Sequence, residues 1–176
     1  MKPAVLSMLM KRRSIRKFSG KTLSKAQVRT LLEAAMCAPS ANNKQPWRFI
    51  VVTDPELIRE VCLAHPHAKF GVDAGAVFVV FGGREGNNHL FSDLGAATQN
   101  LLLCAANIGL GATWCGMNEE RQKLVNPLVG LPDRYWCYAV IPVGVPAEKK
   151  PPRTQYDETK VFYDRFKERP GPGARP

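Results

Sequence analysis

The sequence predicts an α+β fold in which a single sheet carries helices on both of its faces. Segments with helical periodicity and short β-branched runs follow one another in the order α-α-β-α-β-α-(β)-α-β, and an extended arm and a further helix end the pattern. The chain has 176 residues with 45% hydrophobic content, which suits one globular domain with its own core. The sequence contains no internal repeat that would divide it.

Two helices begin the chain. Residues 3–12 space their apolar side chains so that they share one helical face. Ser24 with Gln27 resembles a capping box, and the apolar residues that follow recur at helical spacing. Because proline disfavours helical backbone in the residue before it, we expect this second helix to end before Pro39.

The middle of the chain alternates strands with helices. The β-branched run at residues 49–52 predicts a strand. Asp54 followed by Pro55 predicts a helix N-terminus, with an N-cap and a proline at the first helical position. Residues 75–81 predict a buried strand. Residues 89–108 are apolar on nearly all sides, so they predict the central buried helix.

The last third of the chain contributes one more helix and one more strand before it becomes extended. Asn118 can cap a helix that ends near Val129, and residues 138–143 predict a strand. A stretch rich in Pro and Lys follows, and residues 157–167 predict a short closing helix.

The whole of this pattern belongs to one domain. We expect residues 1–168 to form it, with an extended C-terminal stretch, called the arm below, that begins at about residue 147. Residues 169–176, rich in Pro and Gly, are expected to form a disordered tail.

The sequence favours a cytoplasmic location. Apolar residues 8–10 precede the charged residues 11–13, whereas a secretion signal has its charge first. The most apolar long segment, residues 91–110, carries an aspartate and three amide side chains, so we expect no membrane span. The cysteines are odd in number, widely spread and without a CxxC motif, which predicts reduced and mostly buried thiols. They are Cys37, Cys62, Cys104, Cys115 and Cys137.

The formal net charge of +10 is concentrated at the two ends of the domain. Residues 11–17 carry one basic run, and residues 149–153 carry another. The two runs could converge on one phosphate, or they could simply form a solvated surface. Nucleic-acid binding is disfavoured because aromatic residues are not interleaved with the basic runs in a stacking pattern.

Three segments could carry chemistry. The basic segment, residues 11–18, combines arginine forks that suit phosphate with a serine hydroxyl, although it could also be a solvated helix end. The amide loop, residues 38–47, holds small and amide side chains between two prolines, and is either a rigid ligand-binding loop or a plain helix-to-strand connection. The glycine segment, residues 109–116, lets the backbone approach a flat ligand closely.

Two other classes of site are disfavoured. The glycine segment follows a helix and not a strand, and neither it nor the glycines at 82, 83 and 86 have GxGxxG spacing, so a Rossmann dinucleotide domain is not expected. Cys62, His65 and His67 could bind zinc, but their spacing fits no common site and a fourth ligand is not evident. We therefore expect no metal.

The three segments, in this order and at these separations, closely resemble the FMN-dependent nitroreductase family. The resemblance extends from Arg12 to about Phe162, and it includes the central-helix motif DLGAATQN at residues 93–100. It implies a nitroreductase-like fold, with a mostly antiparallel central sheet flanked by helices. It also implies an intertwined homodimer that holds an FMN in each of two grooves at the dimer interface.

The resemblance assigns the phosphate end of the flavin to the basic segment and the arm. Arg12, Arg13 and Ser14 look like the binders of phosphate and ribityl oxygens. Arg153, together with Lys150, would complete the phosphate clamp. A dianionic phosphate calls for several such donors.

The resemblance also assigns the ring end. Arg16 would lie near the pyrimidine side, close to N1 and C2=O, where a cation favours reduction. The amide loop of the partner chain would contribute Pro39, Ser40, Ala41, Asn42 and Asn43. The glycine segment would lie along the isoalloxazine, with a backbone amide near N5, through Thr113, Trp114, Cys115 and Gly116. No side chain is singled out as catalytic, because the flavin N5 does the chemistry.

The function that the resemblance implies is ping-pong electron transfer from NADH or NADPH through FMN to a small acceptor, such as a nitroaromatic or a quinone. The alternative is a specialised flavoprotein with a protein redox partner or a dedicated substrate, and with little NAD(P)H turnover. Two features depart from the family. The stretch between Gly83 and Leu94 is compact where larger members cover the substrate pocket, and either Lys149 or Lys150 could reach the phosphate.

Overall fold

The structure is a computed structural model that describes residues 3–84, 86 and 88–166. Its α-helices are α1 (Ala4–Lys11), α2 (Lys25–Met36), α3 (Pro55–Ala64), α4 (Leu90–Asn107) and α5 (Glu119–Val125). Its strands are β1 (Arg48–Val52), β2 (Ala76–Gly83), β3 (Gly111–Ala112), β4 (Cys115–Gly116) and β5 (Tyr135–Gly144). Short 3-10 turns cover Ala41–Asn43, Lys69–Asp73 and Glu158–Lys160.

The strands form one antiparallel sheet. Its order is β1-β2-β5-β3, and β4 also pairs with β5. The longest pairing joins β2 to β5, from Ala76 opposite Val143 to Gly83 opposite Tyr135. All pairings between named strands are antiparallel, which confirms the expected mostly antiparallel sheet.

Helices cover both faces of the sheet because side chains of β2 alternate between them. Phe78 and Val80 pack into a core that includes residues of α2 and α4. Val77 and Val79 point to the other face and join a core that includes residues of α3 and α5. The predicted two-sided α+β architecture is confirmed. The central helix α4 is buried as predicted, with eight of its residues in the interior.

Three helix starts are formed as the sequence predicts. The Ser24 hydroxyl accepts from the backbone N–H of Gln27, and the Gln27 side chain accepts from the backbone N–H of Ser24, which completes the capping box. Asp54 caps α3 with Pro55 at its first position. Asn118 caps α5 through the backbone N–H of Arg121. No helix among the described residues is both long and apolar enough to cross a membrane.

The predicted closing helix is wrong over the residues that the structure describes. Residues 157–166 contain only the 3-10 turn Glu158–Lys160, in which Asp157 Oδ1 accepts from the backbone N–H and the hydroxyl of Thr159. Most side chains here are exposed, and a short helix is marginal in water without tertiary packing. Lys167 and the expected tail at 169–176 lie outside the described residues.

Two boundaries also differ. The helix begun by Asn118 ends at Val125 and not near Val129, because Pro127 cannot donate the hydrogen bond that would continue it. The last strand begins three residues earlier than predicted, at Tyr135, because its first residues pair with the end of β2. That pairing lies outside the apolar run from which the strand was predicted.

Candidate functional site

The two basic ends of the domain lie side by side. The backbone N–H of Ala147 donates to the carbonyl of Lys17 (2.8 Å). Further along, the backbone N–H of Arg153 donates to the carbonyl of Met10 (3.1 Å). The arm therefore follows the basic segment in the opposite direction, and it joins residues that are more than a hundred positions apart in the sequence.

This pairing gathers three arginines that no carboxylate neutralises. The pKa of Arg12 is lowered, first by partial burial and then by the positive charges of Arg153 and Arg13. Within the described part of the chain, none of the three forms a salt bridge. One Arg13 guanidinium nitrogen donates to the carbonyl of Pro151 and helps to hold the arm. Arg12, Arg13 and Arg153, called the arginine cluster below, form a concentration of positive charge of the kind that can bind an anion.

A partly exposed ion pair in the arm supports the basic segment. Glu148 Oε1 accepts from the backbone N–H of Arg16 (2.6 Å) and lies 3.1 Å from Lys150 Nζ. Lys150 Nζ also donates to the carbonyl of Ser14 (2.7 Å). The hydrogen bond from Arg16, followed by the effect of Lys150, lowers the pKa of Glu148. Glu148 and Lys150 thus hold the backbone of the basic segment at Arg16 and Ser14.

The basic segment also lies against the glycine segment. The Thr113 hydroxyl donates to the carbonyl of Ile15 (2.7 Å), and the backbone N–H of Ile15 donates to the carbonyl of Ala112 (3.2 Å). A Cβ at Gly111 would lie 2.6 Å from the Ile15 side chain, so only glycine allows this approach. Three predicted site segments are therefore brought together: the basic segment, the glycine segment and the arm.

Cys115 turns its side chain away from this surface. Its Sγ is buried and donates to the carbonyl of His67 (3.4 Å). Burial raises the pKa of the thiol to about 11, although the nearby charge of Arg16 acts in the opposite direction. The thiol stays protonated at neutral pH, so the backbone of Cys115 is the part that can contact a ligand.

The zinc candidates are engaged in other contacts. His65 Nε2 lies 3.1 Å from the carbonyl of Gly116, and Nδ1 accepts from the backbone N–H of His67 (3.1 Å). The ring is thus neutral with both nitrogens in use, and burial lowers its pKa. Burial raises the pKa of Cys62 to about 12. The described residues contain no group of three side chains that could hold a metal ion.

An aromatic wall lies beside the glycine segment. The rings of Trp114 and Tyr138 are 5.5 Å apart, and Phe91 contacts both Tyr138 and Trp136 at 6.0 and 5.3 Å. These four rings, with Gly116 and Met117, line an open cavity of about 290 Å³. A cavity with flat aromatic walls suits a flat aromatic molecule.

The amide loop is strained and tightly held. Asn42, Asn43 and Gln45 adopt left-handed backbone with φ of 52°, 53° and 46°. Asn tolerates this conformation, but Gln does so at a cost, and such strain concentrates at ligand sites. The Ser40 hydroxyl accepts from the backbone N–H of Gln45 (2.9 Å) and fixes the turn.

The amide loop is not joined to the arginine cluster of its own chain. The backbone N–H of Ala41 instead donates to Asp93 Oδ1 (3.0 Å), near the start of α4. Among the described residues, no hydrogen bond links the loop to residues 12–16. The loop thus stands apart from the site that the other three segments form.

Sequence reasoning missed three supporting residues. Glu148, Asp93 and His65 each bind a backbone group of a site segment, and each lies far from that segment in the sequence. Asp93 belongs to the DLGAATQN motif, so a carboxylate in an otherwise apolar helix was the signal that could have identified it. Glu148 and His65 carried no comparable signal.

The fold and this site define a class of protein. The sequence model of the nitroreductase family matches residues 9–71 and 63–145 of the chain. The chain belongs to the nitroreductase family.

Individual relatives are similar to this chain over most of its length. A protein of Archaeoglobus fulgidus, provisionally named an NADH dehydrogenase/NAD(P)H nitroreductase, is 36% identical over 82% of this chain and 87% of its own. A crystal structure from Bacteroides thetaiotaomicron with the same provisional name has a TM-score of 0.89 at 34% identity, covering 94% of this chain and 100% of the other. A provisionally named nitroreductase of Desulfovibrio desulfuricans, solved with FMN, has a TM-score of 0.81 at 32% identity, covering 95% and 100%.

Proposed function

We propose that the chain is an FMN-dependent oxidoreductase that moves electrons from NADH or NADPH to a small oxidised acceptor, such as a nitroaromatic or a quinone, in a ping-pong cycle. FMN, when bound, supplies the two-electron chemistry of hydride uptake and acceptor reduction. The chain's own residues bind the cofactor, orient it and set the charge around it. The similarity to the Desulfovibrio desulfuricans protein, which was solved with FMN, supports this choice of cofactor.

The arginine cluster is the observation that carries the proposal. Partial burial, followed by the positive charges of Arg153 and Arg13, lowers the pKa of Arg12, and a dianionic phosphate would relieve that repulsion. Ser14 adds a hydroxyl to the same segment. Lys150 already bonds Ser14 and Glu148, so we assign it to holding this segment as well as to adding positive charge near the phosphate.

We place the ring of the flavin along the surface beside the cluster. The basic segment and the glycine segment are hydrogen-bonded through Ile15 and Thr113, so a ligand anchored on the first can extend along the second. Arg16 affects the pKa of Cys115, which supports its assignment beside residues 113–116. A cation there stabilises the negative charge that arrives with the electrons.

The acceptor would bind against the aromatic wall. Trp114, Tyr138 and Phe91 offer flat apolar contact, and the cavity they line lies next to Gly116. Stacking on such rings favours planar acceptors, which nitroaromatics and quinones are. This cavity is open in a single chain.

We propose that the active form is a homodimer. An open groove of about 560 Å³ is lined by Leu6, Leu9 and Tyr156 together with Arg12 and Arg153. Tyr156 is 74% exposed, and apolar surface of this kind marks an interface. A second copy seated on the groove would cover the arginine cluster, and its amide loop would supply the ring contacts that this chain's own loop does not. The five free cysteines support our proposal of a cytoplasmic location.

An anaerobic titration tests the function. Purified protein supplied with FMN should show the flavin absorbance bands, and NADH or NADPH should bleach them until an added nitroaromatic or quinone restores them. Light scattering at micromolar concentration should give the mass of a dimer. Protein that binds no FMN would contradict the proposal. Bound flavin that neither nicotinamide reduces would instead favour the specialised flavoprotein with another electron source.

A further inference from the structure

Arg84 lies at the end of the sheet and connects β2, β5 and α5. It directly follows β2, and its backbone N–H donates to the carbonyl of Arg134, just before β5 (3.1 Å). Its side-chain Nε donates to the carbonyl of Tyr135, and its Nη2 donates to Gln122 Oε1 on α5, both at 3.2 Å. These three hydrogen bonds hold the arginine in one place, although it is exposed to solvent.

The partner of the guanidinium on α5 is itself held by the sheet. Gln122 is buried, and its Oε1 also accepts from the backbone N–H of Cys137 in β5 (3.2 Å). Because both partners of this atom are donors, it is the oxygen of the amide that faces them. The Arg84 guanidinium is therefore anchored to an atom whose position β5 determines.

The same guanidinium lies over the ring of Trp136. The distance from Arg84 Cζ to the centre of the indole is 4.5 Å, which is within the range of a cation–π contact. Trp136 lines the cavity of the aromatic wall, whereas Arg84 is not among the lining residues of that cavity. Arg84 can thus influence the shape of the cavity through Trp136 without contacting a ligand itself.

Trp136 forms one end of the aromatic wall. The ring contacts run in the order Trp114, Tyr138, Phe91 and Trp136, with 5.5, 6.0 and 5.3 Å between successive ring centres. Trp114 belongs to the glycine segment, along which we place the flavin ring. The reacting group of an acceptor belongs at that end, so it is the far part of a larger acceptor that extends towards Trp136.

We propose that Arg84 is a positioning residue that holds Trp136 in place, and that the aromatic wall thereby favours planar acceptors with two fused rings over those with one. The inference rests on the function proposed above, because it concerns how that site selects its acceptor. A second ring adds flat apolar area that can stack on Trp136. If Trp136 leaves its position part of the time, the apparent affinity falls with the fraction of molecules that keep it.

Nitrobenzene and 1-nitronaphthalene are the probes for the test, because they share the nitro group and differ by one fused ring. With the nicotinamide at saturating concentration, Arg84→Met should raise the KM for 1-nitronaphthalene about two- to fivefold, as expected from the loss of one exposed cation–π contact. The KM for nitrobenzene and the kcat for both compounds should stay like those of the wild type, because the lost contact concerns binding of the second ring.

The neighbouring arginine provides the matched control. The Arg134 guanidinium lies over the ring of Tyr135 at 5.0 Å, and Tyr135 does not line the cavity of the aromatic wall. Arg134→Met therefore removes the same kind of contact at the same end of the sheet. Its KM for 1-nitronaphthalene should equal that of the wild type.

A double variant separates an effect through Trp136 from a general loss of structure. Adding Arg84→Met to Trp136→Leu should cause no further rise in the KM for 1-nitronaphthalene, because a residue that acts through another loses its effect when that other is removed. Quenching of tryptophan fluorescence by 1-nitronaphthalene measures its Kd for the FMN-loaded protein without turnover. These Kd values should follow the same pattern.

Several results would overturn the inference: no binding of 1-nitronaphthalene by the wild type, equal responses of the two nitroaromatics to Arg84→Met, or an effect of Arg84→Met that persists in the Trp136→Leu background. An Arg134→Met variant as impaired as Arg84→Met would do the same. Failure of the proposed function would look different, because neither nicotinamide would then reduce the flavin of the wild type. The fluorescence Kd values would still decide whether Arg84 acts through Trp136.

Discussion

Removing Arg153 should have opposite effects on cofactor binding and on the stability of the protein without cofactor. Arg153→Ala takes away one of three guanidiniums proposed to bind the phosphate, and a hydrogen bond to a charged group contributes about 1.5–3 kcal/mol. The Kd for FMN should therefore rise about 10- to 150-fold. The backbone N–H of Arg153 still bonds Met10 in the variant, so the arm should stay in place.

The same substitution removes a like charge that lowers the pKa of Arg12. In the absence of FMN, the melting temperature of Arg153→Ala should thus equal or exceed that of the wild type. Quenching of FMN fluorescence measures Kd, and calorimetry measures the melting temperature. The control is Arg59→Ala, an exposed arginine on α3, which should change neither. An unchanged Kd for Arg153→Ala would refute the assignment of the arginine cluster to the phosphate.

Three further predictions concern the supports of the fold and the site. The pKa of Glu148 lies below its ordinary 4.5 in the folded protein. The ionised carboxylate therefore stabilises the fold above pH 4.5, and this stabilisation is lost as the pH falls through the folded pKa. When the pH is lowered from neutral to below 4.5, Glu148→Gln should lose less stability than the wild type in acid unfolding. Ser24→Ala should reduce the free energy of unfolding by about 1 kcal/mol, measured by urea titration, because it removes half of a capping box. Iodoacetamide at pH 8 should modify the exposed Cys37 in the native protein and spare Cys115, whose buried thiol has a pKa of about 11; mass mapping that found Cys115 modified as fast would contradict its burial.

Local chemistry accounts for the elements that the sequence predicted well. The caps at Ser24, Asp54 and Asn118 depend on side chains and backbone groups three residues apart, so they can be read without knowledge of the tertiary structure. The buried helix α4 and the buried strand β2 follow from continuous apolar segments whose lengths suit a helix and a strand. These features recur wherever the same short pattern occurs.

The predicted closing helix does not form over the described residues because its sequence pattern is weak and most of its side chains remain exposed. Side chains such as Tyr163 and Phe166 are exposed in the single chain, at 77% and 72%. A helix of this length needs a buried face to form. In the homodimer proposed above, a partner surface would cover part of this segment, and its conformation would then depend on contacts that no single sequence window contains.

The parts of the site can be predicted from the residues, but their assembly cannot. Charge alone leaves open whether the two basic runs meet, and only the resemblance to the nitroreductase family implies that they do. The contacts that bring them together involve Glu148 with the backbone of Arg16, and Ala147 with Lys17. Backbone groups carry no sequence signature, so such pairings become visible only in three dimensions.

A comparison of FMN with riboflavin tests the central claim most directly, because the two differ only in the phosphate. If the arginine cluster binds that phosphate through two or more charge-assisted hydrogen bonds, FMN should bind to the wild-type protein at least about 100-fold more tightly than riboflavin. Equal Kd values for FMN and riboflavin, measured by fluorescence titration at the same ionic strength, would contradict the account.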